Sequence, residues 1–231
     1  MTGDRWVLFD LDGTLFDYAA AETTAVSATL ADAGVSVTDA VLDDYRRINA
    51  SHWAMLERRE TTPARLRLER WAETLAAHTD DEIDLAALSE RYLVHLAAAA
   101  PLIPGAAAVV EQLSARFRIA FVTNGLADVQ RPRLQASPLA DAAEVLIISD
   151  EVGAAKPDAA IFRAAFEQMG GPPRDAVTMV GDSLSADIAG AEAFGLATVW
   201  FAPDGTPAPG SHDPVPTHRI AELHELPPLL A

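Results

Sequence analysis

The chain alternates short apolar runs, each closed by a polar residue or a glycine, with longer stretches whose apolar residues repeat at helical spacing. Such runs are typical of buried parallel strands, and strands that alternate with helices predict a doubly wound parallel sheet. We therefore predict an α/β fold. The predicted strands are Trp6–Asp10, Arg118–Thr123, Val145–Ser149, Ala176–Gly181 and Ala197–Trp200, with a short strand near Thr217–Ile220. The helices predicted between them are Gly105–Arg116, Leu126–Gln135, Asp158–Gln168 and Ser185–Phe194.

One long interval, residues 16–100, breaks this alternation because it has helical patterns and no strand pattern. It predicts an α-helical cap inserted into an α/β core made of residues 1–15 and 101–231. The predicted cap helices are Ala19–Ala33, Asp39–Glu57, Pro63–His78 and Asp84–Ala97.

The charge of the chain limits its partners. Its 231 residues are 50% hydrophobic, which suits a sizeable buried core, and they carry a formal net charge of -17. A surface this acidic argues against binding of a nucleic-acid polymer, whose phosphates require many basic contacts. It does not exclude a small phosphorylated molecule, because one metal ion and one lysine can dominate the field of a pocket.

The chain has no cysteine, which excludes disulfides, thiolate metal sites and a thiol nucleophile. Its N-terminus does not show the basic region and long apolar region of a secretory signal, and its apolar stretches are too short or too interrupted to span a bilayer. We expect a cytoplasmic protein, monomeric or homodimeric, that does not associate with membranes.

Two aspartates follow the first predicted strand. Asp10 and Asp12 are two residues apart, a spacing that points both side chains the same way, and Gly13 follows them. One carboxylate could attack phosphorus while the other exchanges protons with the leaving alcohol and with water. Taken alone, the same pattern fits a solvated turn about as well.

Three further polar segments follow later strands. Val122–Gly125 contains Thr123, whose hydroxyl could bind phosphate oxygens or cap a helix. Gly153–Asp158 contains Lys156, which alone would be read as a solvated loop charge. Gly181–Asp187 begins at the end of the fourth strand. Open α/β sheets place their ligand crevice at these strand ends, so the four segments predict one active site.

In this order the four segments resemble the motifs of the haloacid dehalogenase superfamily, which has a Rossmann-like core. The resemblance implies that Asp10 is a nucleophile, that Asp12 is the acid and base, and that Lys156 neutralises both the nucleophile and the transferring phosphoryl group. It also implies that Thr123 is a catalytic residue that binds phosphate oxygens. It also implies Mg²⁺ as cofactor. The implied ligands are the side chains of Asp10 and Asp182 and the backbone carbonyl of Asp12, with support from Asp187 and Ser183 outside the ligand set.

The second aspartate bears on the reaction, because superfamily members that cleave carbon–halogen bonds typically lack it. A dehalogenase is therefore disfavoured, whereas a phosphomutase stays open and a phosphatase is the commoner outcome. A non-enzymatic binding protein would have no chemical need for Asp10, Asp12, Lys156 and Asp182 together.

Segments 16–18, 45–53, 67–71 and 148–157 further resemble the pyrimidine 5′-nucleotidase subfamily. This resemblance implies a nucleoside monophosphate as substrate and a phosphatase acting through an aspartyl-phosphate. The alternative is a phosphatase for another small phosphomonoester, such as a sugar phosphate or a biosynthetic intermediate.

Six residues are candidate contacts to phosphate or substrate in addition to Thr123. For two of them, in the cap, another interpretation is open: Trp53 could be a core aromatic of the cap and His52 a surface residue. Arg46 and Arg47 are expected to be solvated or paired with nearby aspartates. The six candidates are Tyr18, Asn49, His52, Trp53, Asn124 and Gly125.

Overall fold

A parallel six-stranded sheet forms the centre of the α/β core in the computed structural model, which describes residues 5–58 and 60–231. The strand order is β3-β2-β1-β4-β5-β6, so β1 is central and the order reverses between β1 and β4. The strands are β1 (Trp6–Phe9), β2 (Arg118–Thr123), β3 (Val145–Ile148), β4 (Val177–Gly181), β5 (Ala197–Phe201) and β6 (His218–Ile220).

Ten α-helices accompany these strands in the described residues. Those of the first half are α1 (Tyr18–Asp32), α2 (Asp39–Glu57), α3 (Pro63–Leu75), α4 (Leu85–Ala98) and α5 (Ala106–Ser114). Those of the second half are α6 (Ala127–Gln135), α7 (Ser149–Val152), α8 (Ala159–Gln168), α9 (Ala189–Phe194) and α10 (Leu226–Leu229).

Both faces of the sheet are covered, as successive side chains of β1 show. Trp6 and Leu8 belong to one buried apolar cluster, and Val7 and Phe9 belong to another. Successive residues of a strand point to opposite faces, so these clusters are the two core layers of a doubly wound fold. The predicted α/β class and Rossmann-like parallel sheet are confirmed.

The chain divides into two compact units, one of Met1–Tyr18 with Ala100–Ala231 and one of Ala19–Ala99. The boundaries predicted from the sequence are residues 16 and 100. Residues 1–4 and 59, which the predicted domains include, lie outside the described residues. In the part of the chain that is described, no helix combines the length and the apolar character needed to cross a bilayer.

Local departures from the predicted elements occur near the polar segments. Ser149 starts helix α7 instead of ending β3. A π-helical turn, Leu184–Ile188, precedes α9. Ser183 shapes that turn, because its hydroxyl accepts a hydrogen bond from the Ala186 amide at 3.2 Å and its own amide donates to Asp187 at 2.9 Å.

The interior of the helical unit contains a polar cluster that the sequence analysis did not foresee. The Asn49 amide donates to Glu22 at 2.7 Å and accepts from Arg70 at 3.1 Å, and all three side chains are buried. The Arg70 guanidinium also lies over the Tyr92 ring, 4.5 Å from its centroid. Asn49 therefore connects α1, α2 and α3 through hydrogen bonds to a buried acid and a buried base.

Asn49→Leu should lower the free energy of unfolding by about 2–4 kcal/mol, because both buried charged groups lose a hydrogen-bond partner. Urea denaturation measures this change. The matched control is Arg47→Leu, which removes an exposed ion pair with Asp44 and should change stability by less than about 1 kcal/mol. Normal stability with a raised KM would instead support the prediction that Asn49 contacts substrate.

Candidate active site

The polar segments converge at the carboxyl ends of the central strands. Asp10 directly follows β1, Thr123 is the last residue of β2, and Asp182 directly follows β4. The Asp10 amide still donates to the Val180 carbonyl at 2.9 Å, so the pairing of β1 with β4 fixes the start of the first segment. This edge between β1 and β4 is where the strand order reverses, the position at which doubly wound sheets bind ligands.

Lys156 lies at the centre of this cluster, on the loop between α7 and α8. Its ammonium group contacts a carboxylate oxygen of Asp10, donates to Asp187 at 2.6 Å and donates to the Val122 carbonyl at 3.0 Å. Lys156 is 2% exposed, so the two carboxylates neutralise a charge that water does not reach. The lysine thereby links two carboxylates and a strand end.

Asn124 holds the main chain of that lysine in place. Its amide nitrogen donates to the Lys156 carbonyl at 2.9 Å, and its amide oxygen accepts from the Lys156 amide at 2.7 Å. A side-chain amide matches a peptide group in this way because each has one donor face and one acceptor face. The segment after β2 therefore fixes the position of the lysine loop.

Asp182 and Asp187 are held by different partners. The Thr14 hydroxyl donates to Asp182 at 3.1 Å, and the Trp200 indole donates to the Asp182 carbonyl at 2.8 Å. One oxygen of Asp187 accepts from Lys156 and the other from the Ser183 amide. Asp187 is 1% exposed, which suits a supporting role for it.

The crowding of carboxylates shifts their proton affinities. Burial, together with the charges of Asp187 and Asp182, raises the pKa of Asp10 well above its ordinary value, although Lys156 opposes this shift. Burial and the charge of Asp187 raise the pKa of Asp182 to about 6. Burial lowers the pKa of Lys156, but Asp10 and Asp187 outweigh this effect and raise it, so the lysine stays charged.

Two side chains of α6 bind the Asp12 carboxylate. Gln130 donates to one of its oxygens at 2.5 Å, and Arg133 contacts the other. The same Arg133 nitrogen donates to the Gln130 amide oxygen at 2.8 Å, which fixes the orientation of that amide. We call Gln130 and Arg133 together the Asp12 clamp. The clamp was not predicted from the sequence, although its two residues are three apart on a predicted helix and therefore share a face.

Comparisons with known proteins agree with this geometry. Residues 5–195 match the profile of a family described as haloacid dehalogenase-like hydrolase. The pyrimidine 5′-nucleotidase YjjG of Escherichia coli (strain K12) is 34% identical, with 97% of each chain covered. The chain belongs to the haloacid dehalogenase-like hydrolase family.

Two further relatives of this hydrolase cover most of its length. The pyrimidine 5′-nucleotidase PynA of Streptococcus pneumoniae is 33% identical over 86% of this chain and 84% of its own. The magnesium-bound crystal structure of the HAD-hydrolase YfnB from Bacillus subtilis superposes with a TM-score of 0.90, at 31% identity and with 98% of each chain covered. The similarity therefore includes the helical unit as well as the core.

The acidic cluster of the hydrolase fits a hard divalent cation. One oxygen from each of Asp10, Asp182 and Asp187 lies within 4.8 Å of the others. Oxygen ligands suit Mg²⁺, and a cation among these carboxylates would oppose both the burial and the carboxylate repulsion that raise the pKa of Asp10 and Asp182. Both oxygens of Asp187 already accept hydrogen bonds. The assignment of Asp10 and Asp182 as ligands stays a prediction.

The other predicted site residues have varied surroundings. Thr123 is buried and its hydroxyl accepts a hydrogen bond from the Gly125 amide at 3.2 Å. Tyr18 begins α1 and is partly buried. In the helical unit, His52 is buried and contacts Glu73 at 3.1 Å, and Trp53 is partly buried. Their contacts to substrate stay predictions.

The expected pairing of two cap arginines is confirmed. Arg46 pairs with Asp43 and Arg47 with Asp44, each at 2.8 Å and three residues apart on α2.

Asn124→Ala should lower the free energy of unfolding by about 1–3 kcal/mol, because it leaves two main-chain groups of Lys156 without their partner. Chemical denaturation with a core fluorescence probe would record the loss. Ser149→Ala is the control, since its hydroxyl makes only a long bond of 3.4 Å to the Gly125 carbonyl. Equal stability of the two variants would contradict this role for Asn124.

Proposed function

We propose that this hydrolase is a Mg²⁺-dependent phosphomonoesterase that forms an aspartyl-phosphate on Asp10 and acts on nucleoside 5′-monophosphates, with a preference for pyrimidine nucleotides. The observation that carries the reaction type is the buried contact of Lys156 with Asp10 and Asp187, next to a second aspartate, Asp12. Two relatives named pyrimidine 5′-nucleotidases, similar over most of their length, support the substrate class.

In the proposed reaction, a carboxylate oxygen of Asp10 attacks phosphorus and the bond from phosphorus to the ester oxygen breaks. The carboxyl group of Asp12 gives its proton to the departing alcohol. Water then attacks the aspartyl-phosphate, Asp12 takes the proton of that water, and the bond between Asp10 and phosphorus breaks to release inorganic phosphate. Asp10 and Asp12 end in their starting forms.

Lys156 keeps a positive charge beside Asp10 throughout this cycle. An anionic nucleophile and an anionic phosphate repel each other, and a fixed cation reduces that repulsion without having to reorganise. We infer that Thr123, the last residue of β2, binds phosphate oxygens through its hydroxyl and the amides of its loop.

Mg²⁺ bound by the side chains of Asp10 and Asp182 and by the Asp12 carbonyl would neutralise phosphoryl oxygens as a Lewis acid. The site has more carboxylates than cationic side chains. Its cations are Lys156 and Arg133, and its carboxylates are those of Asp10, Asp12, Asp182 and Asp187. A divalent cation would correct this imbalance. A cytoplasmic location and the monomeric or homodimeric state stay predictions.

A substrate panel tests the proposed substrate class. With Mg²⁺, we expect UMP, dUMP and dTMP to have higher kcat/KM than any of several sugar phosphates. Each tenfold preference corresponds to about 1.4 kcal/mol of differential transition-state binding. A sugar phosphate that outperforms every nucleotide would favour the alternative phosphatase.

The control for this panel is Asp10→Asn, which keeps the shape of the side chain and removes its nucleophilic charge. It should lower turnover of every substrate by at least about 10³-fold. Undiminished activity of this variant would defeat the proposed mechanism independently of the substrate ranking.

Asp182→Asn should weaken Mg²⁺ binding, because the cation loses one of its two carboxylate ligands. The measurement is the rise in melting temperature across a Mg²⁺ titration without substrate. Each factor of about ten in affinity removes about 1.4 kcal/mol of metal-induced stabilisation at saturation. Asp204→Asn, an exposed aspartate of the same unit, is the charge-matched control. A full shift in the Asp182 variant would exclude this ligand assignment.

A further inference from the structure

The Asp12 clamp is a hydrogen-bonded ring of three side chains. Gln130 and Arg133 each bind one oxygen of the Asp12 carboxylate, and they bind each other at 2.8 Å. An aspartate with both oxygens held in this way loses its freedom to change rotamer. The clamp therefore fixes the direction in which the second catalytic aspartate points.

The residues of the clamp are themselves rigid. Arg133 is fully buried, and its guanidinium lies over the Phe16 ring, 4.6 Å from the centroid. Phe16 is also fully buried, and its amide donates to the Leu11 carbonyl at 2.8 Å. Gln130 is 1% exposed. In contrast, the Asp12 side chain is 26% exposed, so the clamp joins a buried support to an accessible carboxylate.

The burial of Arg133 lowers the stability of the fold. Among the described residues, Arg133 Nε and Nη1 have no hydrogen-bond partner although they are buried. Buried donors without partners lower stability by about 1–3 kcal/mol each, and an apolar side chain would avoid that loss. Departures of this kind are expected where a residue serves function more than stability.

Gly125 makes room for the clamp. A β-carbon on Gly125 would lie 2.6 Å from Gln130 Cγ and 2.8 Å from Gln130 Cδ, which is closer than real β-carbons approach other atoms. The glycine of the segment after β2, predicted to touch phosphate or substrate, thus allows Gln130 to pass and reach Asp12.

We propose that Gln130 and Arg133 are positioning residues that aim the Asp12 carboxyl group at the ester oxygen of the substrate and then at the attacking water. The inference rests on the proposed function, in which Asp12 transfers both protons. General acid–base catalysis needs the acid within hydrogen-bond reach of the atom that it protonates, so loss of aim slows the chemical steps and leaves substrate binding intact.

The test compares two leaving groups. The alcohol of a nucleoside monophosphate needs a proton as it departs, whereas p-nitrophenolate leaves as a stable anion. The variants are Arg133→Met and Gln130→Met, which keep much of the side-chain volume and remove the hydrogen bonds. Arg131→Met is the matched control on the same helix, because Arg131 is exposed and pairs with Glu151.

For UMP we expect kcat in either clamp variant to fall by about 10- to 100-fold with KM within about 3-fold of wild type, because general acid–base catalysis contributes about 10²–10⁴-fold. For p-nitrophenyl phosphate, the first turnover should keep its rate within about 3-fold, since Asp10 attack needs no proton from Asp12. This first turnover should appear as a burst of p-nitrophenolate. A slower steady state should follow it, because the second proton transfer, from water to Asp12, is slowed. Arg131→Met should match wild type on both substrates.

One further variant separates aiming from folding. Arg133→Lys, which keeps the charge and one donor, should recover part of the UMP activity that Arg133→Met loses. Thermal unfolding of each variant shows whether the fold is retained, and Gln130→Met is informative even if Arg133→Met fails to fold.

A first turnover of p-nitrophenyl phosphate that slows as much as UMP turnover would overturn the inference and leave the clamp a purely structural feature. Unchanged or faster UMP turnover in the Gln130 and Arg133 variants would also overturn it, since the clamp would then hold Asp12 away from the reaction. If the panel favours a sugar phosphate, that ester replaces UMP, because its leaving group is also an alcohol. The proposed substrate can therefore fail while this inference stands.

Discussion

The rest of the site depends on two buried ion pairs. The ammonium group of Lys156 forms them with the carboxylates of Asp10 and Asp187. A buried cation without partners, or two buried carboxylates without a cation, would destabilise the core by several kcal/mol. Together they bring the end of β1, the turn before α9 and the loop before α8 to one point. The Val122 carbonyl, which also accepts from Lys156, adds β2 to this junction.

Arg133 and Asp12 form a second contact between a cation and a carboxylate. The carboxylate of this contact is more exposed than that of Asp10. The Asp10 side chain is 7% exposed, whereas the Asp12 side chain is 26% exposed. A nucleophile benefits from a desolvated site with a fixed cation, while an acid and base must meet the leaving group and water. The two adjacent aspartates thus receive separate environments from separate helices and loops, which allows the separate roles that we propose.

The sheet and the strand-end location of the site could be predicted from the sequence because both follow from local patterns. Apolar runs closed by polar residues mark parallel strands, and parallel strands that share a sheet bring their carboxyl ends to one edge. All six predicted strands are present, with bounds that differ from the predicted ones by a residue or so. Resemblance to family motifs supplied the roles that spacing alone left open at Asp10, Thr123 and Lys156.

The parts that escaped prediction depend on contacts between distant segments. Gln130 lies 118 residues from Asp12, and nothing local distinguishes it from a surface glutamine of a helix. The sequence did not predict that the Asn124 amide binds the Lys156 main chain 32 residues away. The burial of Asn49 between Glu22 and Arg70 likewise arises only once three helices pack.

The proposed phosphorylation of Asp10 during turnover is tested by locating the phosphoryl group on the protein. The reaction is quenched in acid during steady-state turnover, the acyl phosphate is reduced with borohydride, and the peptides are analysed by mass spectrometry. We expect the residue at position 10 to be converted to homoserine in wild type and Asp10→Asn to show no such product. Reduction at another carboxylate, or no reduced residue despite rapid turnover, would contradict phosphorylation of Asp10.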